Sequence, residues 1–235
     1  MLFSSYQLLL NDPAAFVRLT VLVVVSLLVA VTIHEFSHAL VATGLGDNTA
    51  RRLGRLSLNP VRHLDPAGTM MLLIAGFGWG KPVPVNHHLL SKGGVGVAMV
   101  AAAGPLSNLA LAFLVAVPIK LGLLGLSSPA MGRANFVMTG GLREGLTDIA
   151  GMVIFFNLLL AVFNLIPLAP LDGSRVLGGL LPRQMAPSYD RFQQYGPVVL
   201  LTVILADVVF NLGILSGIIG PIVNGLLAAA TGYGY

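Results

Sequence analysis

Apolar residues fall in five long blocks along this chain, and few polar positions interrupt them. The blocks cover about residues 19–46, 95–117, 146–166, 197–212 and 214–230. A helix needs about 20 mostly apolar residues to cross the roughly 30 Å of bilayer hydrocarbon. The first three blocks meet that length, and the fourth comes close. The fifth is broken by Gly217, Gly220 and Pro221, so it reads as a short span or a re-entrant segment. The first block is too long and lies too far from the start for a signal-peptide core. Residues 1–17 carry YQLLL, which suits the membrane interface or a short additional helix.

Residues 51–91 break the pattern. They are dense in Gly, Pro, Asn, His and basic residues, with the runs LSLNP, HLDPAGT and GFGWGKPVPVN. So much Pro and Gly forbids a long helix, and short β-pairs with turns are the expectation. Such a segment must be covered by protein or lie at the interface. Residues 121–145 form a second Gly-rich connection, and no internal repeat is evident. The expected fold is therefore an all-α polytopic membrane protein of about five to six transmembrane segments. It forms a single domain, 1–235, with a small β-rich membrane-associated insertion at about 51–91.

Composition supports the membrane reading. Hydrophobic residues make up 56% of the 235, and charged residues only 9%. Ordinary soluble domains are about 25% charged, so a cytoplasmic globular enzyme, a nucleic-acid binder and a disordered chain are excluded. There is no Cys, hence no disulfide, thiolate metal site or Cys nucleophile. The basic residues give an orientation. Arg51, Arg52, Arg55, Arg62, Lys81 and Lys92 follow the first span, and Arg175, Arg183 and Arg191 follow the third. Arg18, Lys120, Arg133 and Arg143 fall on the opposite side if spans alternate. The first set then faces the cytosol, with the N-terminus outside.

With nine acidic residues in all, a carboxylate beside an apolar run needs a reason. The first span ends in His34-Glu35-Phe36-Ser37-His38. Residues four apart share a helix face, so His34 and His38 can present two imidazoles to one metal. Glu35 stands close enough to take a proton from a water on that metal, the logic of His-Glu-x-x-His zinc sites. Such a site needs a third protein ligand and an open position. Asp172 is the candidate. It follows the third apolar run in NLIPLAPLDG, where two prolines break the helix. Alternating spans bring the ends of the first and third runs to the same side.

These residues resemble the site-2 protease family of intramembrane zinc metalloproteases, in its compact prokaryotic branch without PDZ or CBS domains. The resemblance covers about residues 15–225. It rests on His34, Glu35 and His38, on Asn164, Pro167, Asp172 and Gly173, and on Gly104, Pro105 and Asn108. LNP, HLDPAGT and GFGWGKPVPVN also look like this branch. Ala169 and His87 depart from it, standing where prolines are usual. The resemblance implies one zinc ion per chain, held by His34, His38 and Asp172, with Glu35 as general base. It implies hydrolysis of peptide bonds within or beside the transmembrane helices of membrane-protein substrates, which is regulated intramembrane proteolysis within the lipid bilayer. The active site would face the cytosolic side of a prokaryotic cell membrane. Asn108 and Asn164 are uncharged donors suited to the oxyanion or the substrate backbone, or to joining helices. A strand edge at Phe77, Gly78, Trp79 and Gly80 would pair with an extended substrate, and Trp79 also suits an interface anchor.

Other readings compete. A metal transporter or metal-binding scaffold would also use His and Asp inside spans, yet it has no need of Glu35 between the histidines. A pseudoprotease that binds partner helices would not need the intact ligand set. His63, His87 and His88 read as interfacial loop histidines, or as a second metal site or pH-sensitive gate. Asp65 reads as a turn or cap residue, and Asp207 as the outer membrane edge.

Overall fold

The structure, a computed structural model of the chain, describes residues 6–75, 78–126, 141–182 and 184–233. Among them four helices are long and apolar enough to cross a membrane: α2 (Pro13–Gly44), α5 (Gly93–Lys120), α6 (Leu142–Asn164) and α10 (Ile214–Thr231). A fifth crossing is available if α8 (Ala186–Gln194) and α9 (Gly196–Phe210), bent by 46°, count as one span. The short helix expected near the N-terminus is α1 (Tyr6–Asn11), whose six residues cannot cross a bilayer.

Local chemistry sets the start of α2. The Asp12 carboxylate accepts from the Ala15 N–H at 2.9 Å, and Pro13 occupies the first turn, where no N–H is needed. Along α2 the inner positions recur every four residues: Ser26, Ala30, His34, His38 and Ala42 are buried. Val17, Val21, Val25 and Val29 form an exposed apolar stripe on the same helix, as lipid contact requires. The inner stripe of α5 is Val100, Gly104, Asn108, Ala112 and Ala116, also at four-residue spacing. These are mostly small residues, which let backbones approach closely where lipid gives no hydrophobic drive between helices. Helix α5 packs against α2, α6 and α7 (Asp172–Leu180). At the α5–α7 crossing Gly94 faces Gly179, and a Cβ on Gly179 would lie 2.3 Å from the Gly94 carbonyl oxygen. Ala112, Ala116, Ile119, Ile154, Leu158 and Leu227 fill the core between α5, α6 and α10.

The β-rich insertion expected at about 51–91 is not found. Among the described residues there is no strand, only one isolated antiparallel bridge between Leu64 and Gly80. The segment instead holds α3 (Thr49–Arg52), a 3-10 turn at Pro60–Arg62, α4 (Pro66–Ala75) and a 3-10 turn at His87–Leu89. The reason is legible in HLDPAGT. Asp65 caps by accepting from Gly68 N–H at 2.8 Å, and Pro66 is the first residue of α4. That is helix-start chemistry. Beyond α4, Pro82 and Pro84 have no N–H to give a ladder. Residues 78–86 are fastened piecemeal instead: Lys81 N–H donates to the His63 carbonyl at 2.8 Å, and the buried Arg55 guanidinium donates to the Arg62, Lys81 and Pro82 carbonyls.

Asp47, fully buried, ties this segment to the end of α2. Its carboxylate accepts from Thr49 N–H at 2.9 Å and Asn86 N–H at 2.7 Å. Burial pushes its pKa up, but the bonds from Thr49 and Asn86 and the nearby Arg52 outweigh that and hold it below the usual range. Asp47→Ala is expected to lower stability by about 1–3 kcal/mol, read as thermal unfolding in detergent. A depressed carboxylate stabilises fully above its unfolded value of about 3.9, and that stabilisation is lost as pH falls through the folded value. The gap between wild type and variant should therefore close only below about pH 4.

Candidate metal centre

His34 and His38 lie one turn apart on the buried face of α2, in a T-shaped pair with ring centroids 4.6 Å apart. Each ring is held by its Nδ1. His34 Nδ1–H donates to Asn108 Oδ1 at 2.6 Å, and His38 Nδ1–H donates to the Val100 carbonyl at 2.7 Å. Both acceptors stand on α5. With Nδ1 carrying the proton, each Nε2 keeps a lone pair, and both point to one place.

Asp172 meets them there as the first residue of α7. The chain leaves α6 at Asn164, passes through tight turns at 165–171 and re-enters a helix. Gly173 permits this return, since a Cβ there would lie 2.3 Å from the Leu165 carbonyl oxygen and 2.5 Å from that of Ile166. Asp172 Oδ2 then sits 2.9 Å from His34 Nε2 and 3.3 Å from His38 Nε2.

The donor set fits a divalent metal. Two imidazole nitrogens and one carboxylate oxygen lie within 4.8 Å of one another. Zinc takes such ligands at about 2.1 Å, which separates tetrahedral ligand atoms by roughly 3.4 Å. Three lone pairs aimed at one point repel unless a cation lies between them. Gly104 makes room on the α5 side: a Cβ there would come within 2.5 Å of His38 Nε2 and 2.7 Å of His34 Nε2.

Glu35 lies beside the cluster, half-buried. Its Oε2 accepts from Val83 N–H at 3.0 Å. Gly80 passes next to its other oxygen, with a Cβ position 3.8 Å from Oε1. Trp79 is half exposed at 52%, and Gly78 is exposed. Phe77 lies outside the described residues. Asn108 is fully buried behind His34, and its Nδ2 donates to the Ala30 carbonyl at 2.9 Å and to Asn157 Oδ1 at 2.7 Å. Asn164 donates to the Leu160 carbonyl of its own helix at 3.0 Å. His63 is buried with Nε2 on the Ser57 carbonyl, while His87 and His88 are exposed. Partial desolvation of the His87 ring and the nearby Arg175 push its pKa down. Asp207 accepts from Ile214 N–H at 2.6 Å, across the turn between α9 and α10.

Sequence reasoning passed over three groups: Gly104 as the wall of the site, the Val83 amide, and Asn157. Asn157 had a signal, as one of two asparagines in the third apolar block.

Membrane-length helices around a buried pair of histidines, an aspartate and an adjacent glutamate are what a membrane-embedded metallopeptidase requires. The chain belongs to Peptidase family M50, the site-2 proteases, with the match running over residues 22–206. It is an integral, multi-pass intramembrane protease. It is 42% identical to the Bacillus subtilis protein named "Putative zinc metalloprotease YwhC" over 178 residues, 76% of this chain and 77% of that one. It is 31% identical over 199 residues to Rip2 of Mycobacterium tuberculosis, covering 83% of this chain and 71% of the relative. Rip2 of Mycolicibacterium smegmatis is 28% identical over 200 residues, at 82% and 70% coverage. Both bear the same zinc metalloprotease description. No solved structure matches the chain.

Proposed function

We propose that the chain, acting as one membrane domain, is a zinc endopeptidase of the His-Glu-x-x-His type that cleaves peptide bonds within or beside substrate transmembrane helices. One zinc ion per chain is held by His34, His38 and Asp172, and Glu35 is the general base. The observation that carries this is the convergence of His34 Nε2, His38 Nε2 and Asp172 Oδ2, with both Nδ1 atoms bound away from that point.

When bound, the zinc supplies a Lewis acid that acidifies water and polarises a carbonyl. The chain's own groups do the rest. Val83 N–H holds one Glu35 oxygen, leaving Oε1 to take the proton from the attacking water and return it to the leaving nitrogen. Asn108 serves His34, because its amide is fully engaged within the protein. Asn164, at the end of α6, is the remaining amide for the substrate backbone or oxyanion. The stretch 77–80 is the segment along which an unwound substrate lies, a reading that rests on exposed Gly78 and Trp79 and on Gly80 beside Glu35. The site opens to the cytosolic side of a prokaryotic membrane, on the weight of nine basic residues against four.

The test is metal removal. Chelation of the purified protein should abolish cleavage of a single-span substrate in proteoliposomes, and added zinc should restore it. Cleavage indifferent to chelation would overturn the proposal. Zinc flux into the vesicles without cleavage would favour a transporter, which membership of a peptidase family speaks against.

A further inference from the structure

We propose that Asn157 is a positioning residue for the metal site, acting on His34 through Asn108. This rests on His34 being a ligand, as proposed above. Asn157 lies on α6, away from the His34–Asp172 cluster, and is fully buried, as is Asn108 on α5. The chain of bonds runs in one direction. Asn157 Nδ2 donates to the Val153 carbonyl at 2.8 Å, four residues back on its own helix. That turns its Oδ1 outward, where it accepts from Asn108 Nδ2 at 2.7 Å. The other Nδ2 hydrogen of Asn108 goes to the Ala30 carbonyl on α2 at 2.9 Å.

Two acceptors therefore claim the nitrogen end of the Asn108 amide, and its oxygen must face His34 Nδ1, 2.6 Å away. An oxygen there accepts a hydrogen bond and cannot donate one, so His34 carries its proton on Nδ1. Nε2 is left with a lone pair toward Asp172. A flipped Asn108 would present N–H to Nδ1, drive the proton to Nε2 and block the ligand position. Asn157 removes that alternative, because a flip would set the Asn108 oxygen against the Asn157 oxygen. The outer partners of a metal-bound histidine fix its tautomer and orientation in this manner.

The test compares zinc affinity of the folded, purified protein by competition with a chromophoric chelator. Asn157→Leu, close in volume but with no acceptor, should weaken zinc binding about 10- to 100-fold. Asn157→Asp keeps an oxygen acceptor for Asn108 and should recover most of that loss. The melting temperature of the metal-free protein is read in parallel. A residue with only a packing role would lower it and leave affinity unchanged. If Asn157→Leu does not fold, Asn157→Ala is expected to show the same loss of affinity. His34→Ala is the control on the site itself. If it leaves zinc affinity intact, the ligand assignment fails. If it abolishes binding while Asn157→Leu and Asn157→Ala bind like wild type, the positioning role fails. An equal loss in Asn157→Asp and Asn157→Leu also overturns it.

Discussion

Replacing Glu35 by Gln should leave the zinc content of the purified protein unchanged and lower cleavage of a single-span substrate by roughly 10²- to 10⁴-fold, the range of a lost general base. The two effects separate because of where Glu35 sits. It is next to His34 in sequence, but its carboxylate is turned to the Val83 amide and Gly80, and it is not among the three converging ligands. A Gln side chain is nearly isosteric and keeps an oxygen that can accept from Val83 N–H. The strip 78–86 should therefore stay in place, and α2 should unfold at the same temperature. What is lost is the ability to take a proton and hand it on. Metal analysis and a cleavage assay on the same preparation decide the matter. Substantial cleavage by the variant would place the base elsewhere, and lost zinc would make Glu35 a ligand.

Different physical signals made different parts of this molecule legible from its sequence. Helices α2, α5 and α6 followed from apolar runs, because a continuous apolar stretch of about 20 residues satisfies its own backbone across a bilayer as a helix. The pairing of His34 and His38 followed from helical spacing, and Asp172 from the scarcity of acids near apolar blocks. The 51–91 segment was less readable. Its Pro and Gly density points to short β-pairs and turns, whereas Asp65, a turn or cap candidate, caps the start of α4 together with Pro66. The rest of that segment is held by partners distant in sequence: Lys81 on His63, Asn86 on Asp47, and Arg55 on carbonyls at 62, 81 and 82. No local pattern encodes such contacts. The fourth apolar block alone did not suggest that α8 precedes α9 at a 46° bend. Asn157 escaped notice for a related reason: a buried amide declares its function only through what it touches.

Gly104→Ala should cost the protein its zinc and its activity and should also lower the melting temperature of the metal-free fold. Glycine inside a helix is normally worse than alanine by about 1 kcal/mol, so Gly104, mid-way along a membrane-length α5, calls for a cause. The cause is the site. An added Cβ would lie 2.5 Å from His38 Nε2, 2.6 Å from His34 Cε1 and 2.7 Å from His34 Nε2, well inside van der Waals contact. Both rings are anchored at Nδ1 to α5 itself, through Val100 and Asn108, so they cannot swing away without breaking those bonds. Either the imidazoles leave the convergence point, or α5 withdraws from α2 and carries their anchors with it. Each route separates the ligands. Zinc affinity should fall by at least the roughly 100-fold seen when outer partners of a ligand are lost. Gly220→Ala is the matched control, in a helix where a Cβ meets nothing within 4 Å, and it should keep both zinc and cleavage. If Gly104→Ala binds zinc as tightly as that control, the rings do not lie against α5, and the centre must be assembled from some other approach of the two helices.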